Sequence, residues 1–248
     1  MKEEIDHDNL PRHIAVIMDG NGRWAKRKGA MRLFGHKNAI TSVREVTEGC
    51  AELGIEYLTL YAFSTENWGR PKDEVNGLMN LLVHTIRNEI NKLMENKVKL
   101  RMIGDPELLP KVCQRELQEA IKATSGNSGL TLTLALNYSG RHEITDAVRA
   151  IAKEVKDGKV DADSITPELI SSHLQTRDMP DPELLIRTSG EMRVSNFLLW
   201  QIAYTELYMT DLLWPDFRRK HLYEALATFQ KRERRFGKIS EQLKIQVK

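Results

Sequence analysis

The chain has 248 residues, 41% hydrophobic and 29% charged, a balance that suits one globular α/β domain and excludes a disordered or fibrous chain. Its 37 lysines and arginines nearly cancel 35 acidic residues, for a formal net charge of +2. A general nucleic-acid binder is therefore disfavoured, and any anion site must come from local clustering. The two cysteines, Cys50 and Cys113, share no metal-ligand or redox spacing and read as reduced, buried thiols of a cytoplasmic protein.

The opening Met1-Lys2-Glu3-Glu4-Ile5-Asp6 is charged where a secretory leader needs an apolar stretch. No apolar run approaches the roughly 20 residues of a membrane span. Residues 1–248 are expected to form a single domain, soluble and cytoplasmic, with 1–10 flexible. Short apolar runs predict strands over 13–19, 57–63, 98–103, 130–137, 184–187 and 206–210. Several are apolar nearly throughout, as strands covered on both faces should be. Between the first two strands, Ala39, Ile40, Val43, Val46, Cys50 and Leu53 recur at helical spacing, and Gly54 can end that helix. Val75, Leu78, Met79, Leu82, Ile86, Ile90 and Leu93 form a second stripe. Ile144, Ala147, Val148, Ile151 and Val155 form a third, and Thr166-Pro167 opens a short helix. The alternation predicts an α/β fold: a mostly parallel six-stranded sheet with helices on both faces. Ligands bind outside the carboxyl ends of such strands, which directs attention to the residues just after each one.

After the first strand comes Asp19-Gly20-Asn21-Gly22-Arg23-Trp24, followed by Lys26, Arg27, Lys28, Arg32, His36 and Lys37. The glycines and asparagine permit left-handed backbone angles and an anion-binding nest, and His36 lies near the start of the next helix. The group suits a diphosphate. Asp19 would repel such a ligand unless a cation lay between, and Mg2+ takes one or two carboxylates plus phosphate oxygens. The bland alternative is a tight turn with solvated charges. Neither a P-loop nor a dinucleotide fingerprint is present. After the second strand, Ser64, Thr65, Glu66, Asn67, Trp68 and Arg70 offer neutral polar groups and a phosphate ligand; a helix-capping turn with Trp68 in the core competes with that reading. After the fifth strand, Arg187-Thr188-Ser189-Gly190-Glu191-Met192-Arg193-Val194-Ser195 makes a second diphosphate clamp plausible. An internal salt bridge from Arg187 to Glu191 or Glu206 is the alternative. Glu206 is a candidate second metal carboxylate, with a structural ion-pair role as the alternative. Two phosphate sites, one carboxylate and long apolar helix faces together suggest that a diphosphate leaves an allylic carbon while a second, diphosphate-bearing alkene attacks it.

The segments from His13 to Ala25, Phe63-Ser64-Thr65-Glu66-Asn67-Trp68, Arg187-Thr188-Ser189-Gly190-Glu191 and Ser195 to Leu207 resemble, in order, the signature blocks of the cis-prenyltransferase family. Its bacterial undecaprenyl diphosphate synthases are the most similar members. The resemblance implies the following expectations. Asp19 binds Mg2+ and is the essential acidic residue, with Glu206 as second metal ligand. Gly20, Asn21, Gly22 and Arg23 cradle an allylic diphosphate, with Trp24, Arg32 and His36 nearby. Asn67 is the proton acceptor, and Ser64, Thr65, Glu66, Trp68 and Arg70 line the site. Arg187, Arg193, Val194 and Ser195 hold isopentenyl diphosphate. The helices around 36–53 and 73–95 flank an apolar tunnel in which the chain grows, with Ala62, Leu130 and Leu136 helping to set its length. Arg235 and Gly237 reach across a homodimer, and product release involves peripheral membrane contact. Farnesyl diphosphate as starter and an undecaprenyl lipid carrier for cell-wall synthesis are the expected substrate and product.

Met192 departs from the histidine or glutamine of many relatives, and methionine cannot replace imidazole as a ligand for a hard ion such as Mg2+. An all-helical prenyl synthase is excluded by the strands and by the lack of a D-D-x-x-D motif. A non-catalytic accessory subunit would lose Asp19, Arg23, Arg32, Arg187 and Arg193, all present here. The basic run Lys231, Arg232, Arg234 and Arg235 is interrupted by Glu233 and reads as a solvated helix face rather than a nucleic-acid site.

Overall fold

A computed structural model describes residues 4–233. Six strands form one sheet: β1 (His13–Ile17), β2 (Tyr57–Ser64), β3 (Lys99–Ile103), β4 (Thr131–Tyr138), β5 (Leu184–Arg187) and β6 (Glu206–Met209), in spatial order β3-β4-β2-β1-β5-β6. Every neighbouring pair is parallel. The strand ends differ from the sequence expectation by at most two residues: β1 and β6 stop before Asp19 and Thr210, β2 and β4 run on to Ser64 and Tyr138, β3 and β4 begin one residue later, and β5 agrees. All five residues of β1 are buried. Alternate side chains explain why: Ile14 and Val16 enter a large core on one face, while Ala15 and Ile17 enter a smaller one with Leu185, Phe197 and Leu198 on the other.

Among the described residues are seven α-helices, six between strands and the last after β6: α1 (Asn21–Arg27), α2 (Arg32–Leu53), α3 (Lys72–Glu95), α4 (Lys111–Thr124), α5 (Gly140–Lys156), α6 (Pro167–His173) and α7 (Arg219–Gln230). Gly54, at φ 77°, stops α2 with the left-handed geometry that L-residues resist. Pro71 precedes α3, and Asp73 and Glu74 occupy its first turn, where the helix dipole favours carboxylates. Thr166 caps α6 and Pro167 opens it, as its sequence predicts. On α5 the expected stripe is narrower: Ala147 and Ile151 are buried, but Val148 is exposed. Glu143 occupies the buried face instead, accepting hydrogen bonds from Tyr138 (2.6 Å) and Gln201 (3.0 Å). Both cysteines are free and buried. Within the first ten residues, expected to be flexible, Ile5 is buried in the larger core and Asp6 caps a short turn over His7–Asn9. No helix among the described residues is long and apolar enough to cross a membrane.

α2 and α3 lie over β1, β2 and β4 but do not fill the space beneath them. A cavity of about 760 Å³ remains, lined by Ile40 and Val43 of α2, Leu78 and Ile86 of α3, and Leu134 and Leu136 of β4. Ala62 also lines it. Leu130 does not; it is buried just before β4.

Candidate active site

Asp19, Ser64 and Arg187 stand at the carboxyl ends of β1, β2 and β5, on the edge of the sheet where parallel strands bind ligands. β1 lies between β2 and β5, so the chain's progress across the sheet reverses beside it. The Asp19 backbone is held on both sides by Thr188. Its N–H donates to Thr188 Oγ1 (3.0 Å), and that hydroxyl donates to the Asp19 carbonyl (2.7 Å). The carboxylate accepts from Gly20 N–H (2.6 Å) and from Arg187 Nη2 (3.0 Å), with Arg23 Nη2 at 3.7 Å. Burial pushes the Asp19 carboxyl up, but hydrogen bonds from Arg187, Ser189 and Gly20 outweigh it, and the group stays below the usual carboxylate range. It is therefore an anion throughout the neutral range.

The segment 20–24 is not the open turn that its glycines suggest. Gly20 alone takes a left-handed angle, φ 104°, and Asn21 begins α1. Gly22 lies inside that helix, where a Cβ would meet the Arg32 guanidinium at 3.0 Å. Gly35 on α2 presses so closely on α1 that a Cβ would lie 2.0 Å from the Asn21 carbonyl oxygen. This contact delivers Asn21 and His36 to the cavity wall together, with Asn21 Nδ2 and His36 Nδ1 3.4 Å apart. Burial and then Arg70 hold the His36 pKa down at about 4, so the ring is neutral at pH 7 and can offer one N–H. Trp24 donates Nε1–H to Asp216 (2.8 Å) and stacks on Phe34 (5.8 Å). It supports the rim rather than the cavity.

Ser64 and Asn67 cap the turn over Thr65–Gly69 reciprocally, with the Ser64 N–H donating to Asn67 Oδ1 (3.2 Å). Both line the cavity, as do Glu66 and Arg70. Thr65 opens the turn, and Trp68 packs edge-on to Phe63 with its Nε1–H on Asn137 (2.8 Å). Both the capping role and the cavity role expected of this segment are present. Glu74, which sequence did not single out, receives both Arg32 and Arg70 at 3.2 Å and fixes them at the mouth.

Arg187 is 3% exposed, and its partner is Asp19 rather than Glu191 or Glu206. Its Nη1 also donates to the Arg193 carbonyl and to Ser195 Oγ (2.8 Å). Its buried Nε has no partner among the described residues, and neither has Asn21 Oδ1. Arg193 pairs with Glu191 (2.5 Å), which also receives Arg23 (3.3 Å). Ser189, Ser195, Asn196 and Leu198 all take positive φ angles without being glycine, a concentration of backbone strain typical of functional sites. Asn196, to which the sequence assigned no role, holds this segment in place by donating to Glu66 (2.9 Å) and Ser139 (2.7 Å). Val194 packs on the smaller core, and Met192 is exposed.

Glu206 is not brought to this cluster within the chain. It pairs across the sheet with Leu184, at the amino end of β5, whereas Arg187 pairs with Met209. Three residues of strand, about 10 Å, separate the two levels, and Glu206 binds Arg232 (2.7 Å). Its metal role is therefore not supported by the chain's own geometry. Among the described residues no three His, Cys, Asp or Glu side chains gather as a metal site. Arg235 and Gly237 lie outside the described residues.

The mouth thus sets five arginines, 23, 32, 70, 187 and 193, against four carboxylates, Asp19, Glu66, Glu74 and Glu191. A surplus of cations at the rim of a deep apolar cavity is the geometry of a site for an anion with a greasy tail. Residues 17–237 match the family model described as "Putative undecaprenyl diphosphate synthase". The chain belongs to this prenyltransferase family. An isoprenyl transferase of Chlorobaculum tepidum is 56% identical over 235 residues, 95% of this chain and 89% of that protein. A Pasteurella multocida protein named ditrans,polycis-undecaprenyl-diphosphate synthase, farnesyl-diphosphate specific, is 50% identical over 96% of this chain and 99% of its own length. Among solved structures, lavandulyl diphosphate synthase from Lavandula x intermedia, in complex with dimethylallyl diphosphate, superposes with a TM-score of 0.91 at 36% identity, covering 93% of this chain and all of that one. A probable undecaprenyl diphosphate synthase from Campylobacter jejuni gives 0.76 at 33% identity over the same shares. In this prenyltransferase the polar residues Asp19, Ser64 and Arg187, which follow or end β1, β2 and β5, all line one cavity.

Proposed function

We propose that this prenyltransferase condenses isopentenyl diphosphate units onto an allylic diphosphate, farnesyl diphosphate as starter, to make a long-chain Z-polyprenyl diphosphate of undecaprenyl length for cell-wall lipid carriers. The observation that carries the reading is the Asp19–Arg187 pair, set in a surplus of arginines at the mouth of a 760 Å³ apolar cavity. In the proposed reaction the allylic C–O bond breaks and diphosphate leaves. The terminal alkene carbon of isopentenyl diphosphate forms the new C–C bond, and one proton is lost from its chain. Arg23, His36 and Arg70 donate to the allylic diphosphate, and Asn21 orients it. Arg193 and Ser195 hold isopentenyl diphosphate, with Arg187 between the two sites. Gly20, Gly22, Trp24 and Arg32 shape the rim, and Val194, Thr65 and Trp68 brace it.

Asn67 has its Oδ1 engaged by the Ser64 amide, and a carboxamide is too weak a base to hold a proton. Its part is orientation, and the departing diphosphate takes the proton. The single carboxylate of Asp19 fits Mg2+, which takes one or two carboxylates and completes its shell with phosphate and water. The unpaired Arg187 Nε–H leaves a donor for a diphosphate oxygen, and the unpaired Asn21 Oδ1 leaves an acceptor for a cation or its water. Bound magnesium supplies positive charge that stabilises the leaving diphosphate.

A cytoplasmic homodimer completes the reading. The outer edge of β6, with exposed Tyr204 and Leu207, supports the pairing. Exposed Met31 and Phe34, amid Lys26, Arg27, Lys28 and Lys37, support transient membrane contact on product release. Incubating the purified chain with farnesyl diphosphate, isopentenyl diphosphate and Mg2+ tests the reading. Polyprenyl diphosphates longer than the starter are expected, and a chelator is expected to abolish them. Unchanged starter would reject it.

A further inference from the structure

The wall of the cavity holds one feature that diphosphate chemistry does not use. Arg44 of α2 and Glu89 of α3 both line the cavity and join across the seam between the helices. The contact is bidentate: Nη2 to Oε1 at 2.5 Å and Nε to Oε2 at 3.0 Å. The side chains are 35% and 18% exposed, so water reaches the pair and neither charge is free. Glu48 and Lys92, which also line the cavity, reinforce the pair with charges of opposite sign to the neighbouring member.

The position of this rung can be read from the helices. The Arg32–Glu74 pair joins α2 and α3 at the mouth. Arg44 comes 12 residues after Arg32, and Glu89 comes 15 after Glu74, which places the second pair roughly 18–22 Å deeper at 1.5 Å per residue. The two helices therefore run side by side in one direction, tied at two levels. Below the deeper rung the cavity continues past Leu93 and Asn96 to Val98, Leu100 and Leu132, near the amino ends of β3 and β4.

We propose that the Arg44–Glu89 pair is a determinant of product length, a polar rung that the growing hydrocarbon meets only after it has lengthened. This rests on the polyprenyl synthase reading above and deepens it. A paired, hydrated rung offers no favourable contact to an alkyl chain and resists being parted. It closes the seam between α2 and α3 and turns the chain along the sheet toward the leucines of β3 and β4. If either partner is removed, the other loses its bidentate hydrogen bonds and keeps only the weaker attraction of Glu48 (for Arg44) or Lys92 (for Glu89), so a charge with unmet hydrogen bonds stands beside the path. A chain passing it must strip its water without replacing it, and extension beyond that level is penalised. If both are made apolar, that penalty disappears and the seam becomes greasy surface.

The test is a double-mutant cycle read as product length. Wild type, Arg44→Met, Glu89→Met, the double variant and the milder Glu89→Gln are each supplied with farnesyl diphosphate, excess isopentenyl diphosphate and Mg2+. The dephosphorylated products are resolved by reversed-phase chromatography at matched conversion. Each single methionine variant is expected to shift the distribution to shorter chains by whole isoprene units. The double variant is expected to return to the wild-type length or exceed it, with the rate of the first condensation within about twofold of wild type throughout, since the pair lies far from the diphosphates. Glu89→Gln, which keeps the shape of the side chain, should shift in the same direction and carries the test if a methionine variant does not fold. Wild-type distributions in every variant would overturn the proposal. So would shortening in the double variant equal to that in the singles, because that is the signature of loosened helices alone. A wild-type chain that extends no starter at all would reject the synthase reading itself, an outcome distinct from either.

Discussion

The chemistry of this site turns on one carboxylate kept ionised among cations. Asp19 resists protonation because Arg187, Ser189 and Gly20 donate to it in spite of partial burial. Replacing Arg187 with methionine removes the strongest of these donors, so burial would dominate and the Asp19 pKa would rise. The acid limb of the pH–rate profile is then expected to move to higher pH, with kcat/KM at neutral pH falling by about 10²-fold or more for a lost charge-stabilising donor. An unshifted limb would show that another group controls it. Arg193 is more exposed, and its side chain binds Glu191. Arg193→Ala should raise the Michaelis constant for isopentenyl diphosphate several-fold more than that for the allylic substrate; equal effects would argue against two diphosphate sites. The residues after the first, second and fifth strands were legible because charge clusters next to glycine are unusual at strand ends. Glu74 and Asn196 were not legible, since their value lies in partners far along the chain. Glu206 begins β6, as the sequence places it. Within one chain that puts it three residues from the level of Arg187, a separation the strand order sets and the sequence does not show.

At the scale of the elements, the site depends on helix α1 lying against α2. Asn21 and Gly35 touch there with no room for a methyl group. Gly35→Ala should therefore force α1 away, costing about 1–3 kcal/mol as overpacking does and weakening allylic diphosphate binding more than isopentenyl diphosphate binding. Urea midpoints and Michaelis constants check both parts, and a neutral result would show that the rim is more compliant than its packing implies. Helix α1 itself was hidden in the sequence. Its seven residues include Gly22 and four polar or charged side chains, so no apolar period announces it. The long helices α2 and α3 were legible from their stripes. The cavity beneath them was not, because a stripe facing a void and a stripe facing a packed core have the same period.

For the whole molecule, the parallel sheet could be read from runs such as those of β1 and β5, buried on both faces. The spatial order of the strands could not, because it is set by helix crossovers rather than by the strands. One consequence of that order is His13 at the amino end of β1, buried between the Pro180 carbonyl (2.6 Å) and the Thr59 hydroxyl (2.8 Å). Burial holds its pKa at about 4, against 6.5 when free. The unfolded chain therefore binds a proton that the folded chain refuses between those values, and stability falls as pH drops below 6.5. At pH 5 the loss from this residue is about 2 kcal/mol. Urea unfolding at pH 7 and pH 5 should show it, and His13→Asn should flatten the difference; an equal decline in both proteins would assign it to other groups.

The central claim is that Asp19 belongs among the arginines because a divalent cation joins it to a diphosphate. Calorimetric titration of inorganic diphosphate into wild type and Asp19→Asn, each with Mg2+ and with chelator, measures this most directly. Wild type should bind at least tenfold more tightly with Mg2+, a difference of about 1.4 kcal/mol. The asparagine variant, relieved of a repelling charge, should bind more tightly than wild type in chelator and gain little from the metal. An equal gain from Mg2+ in both proteins would contradict the account.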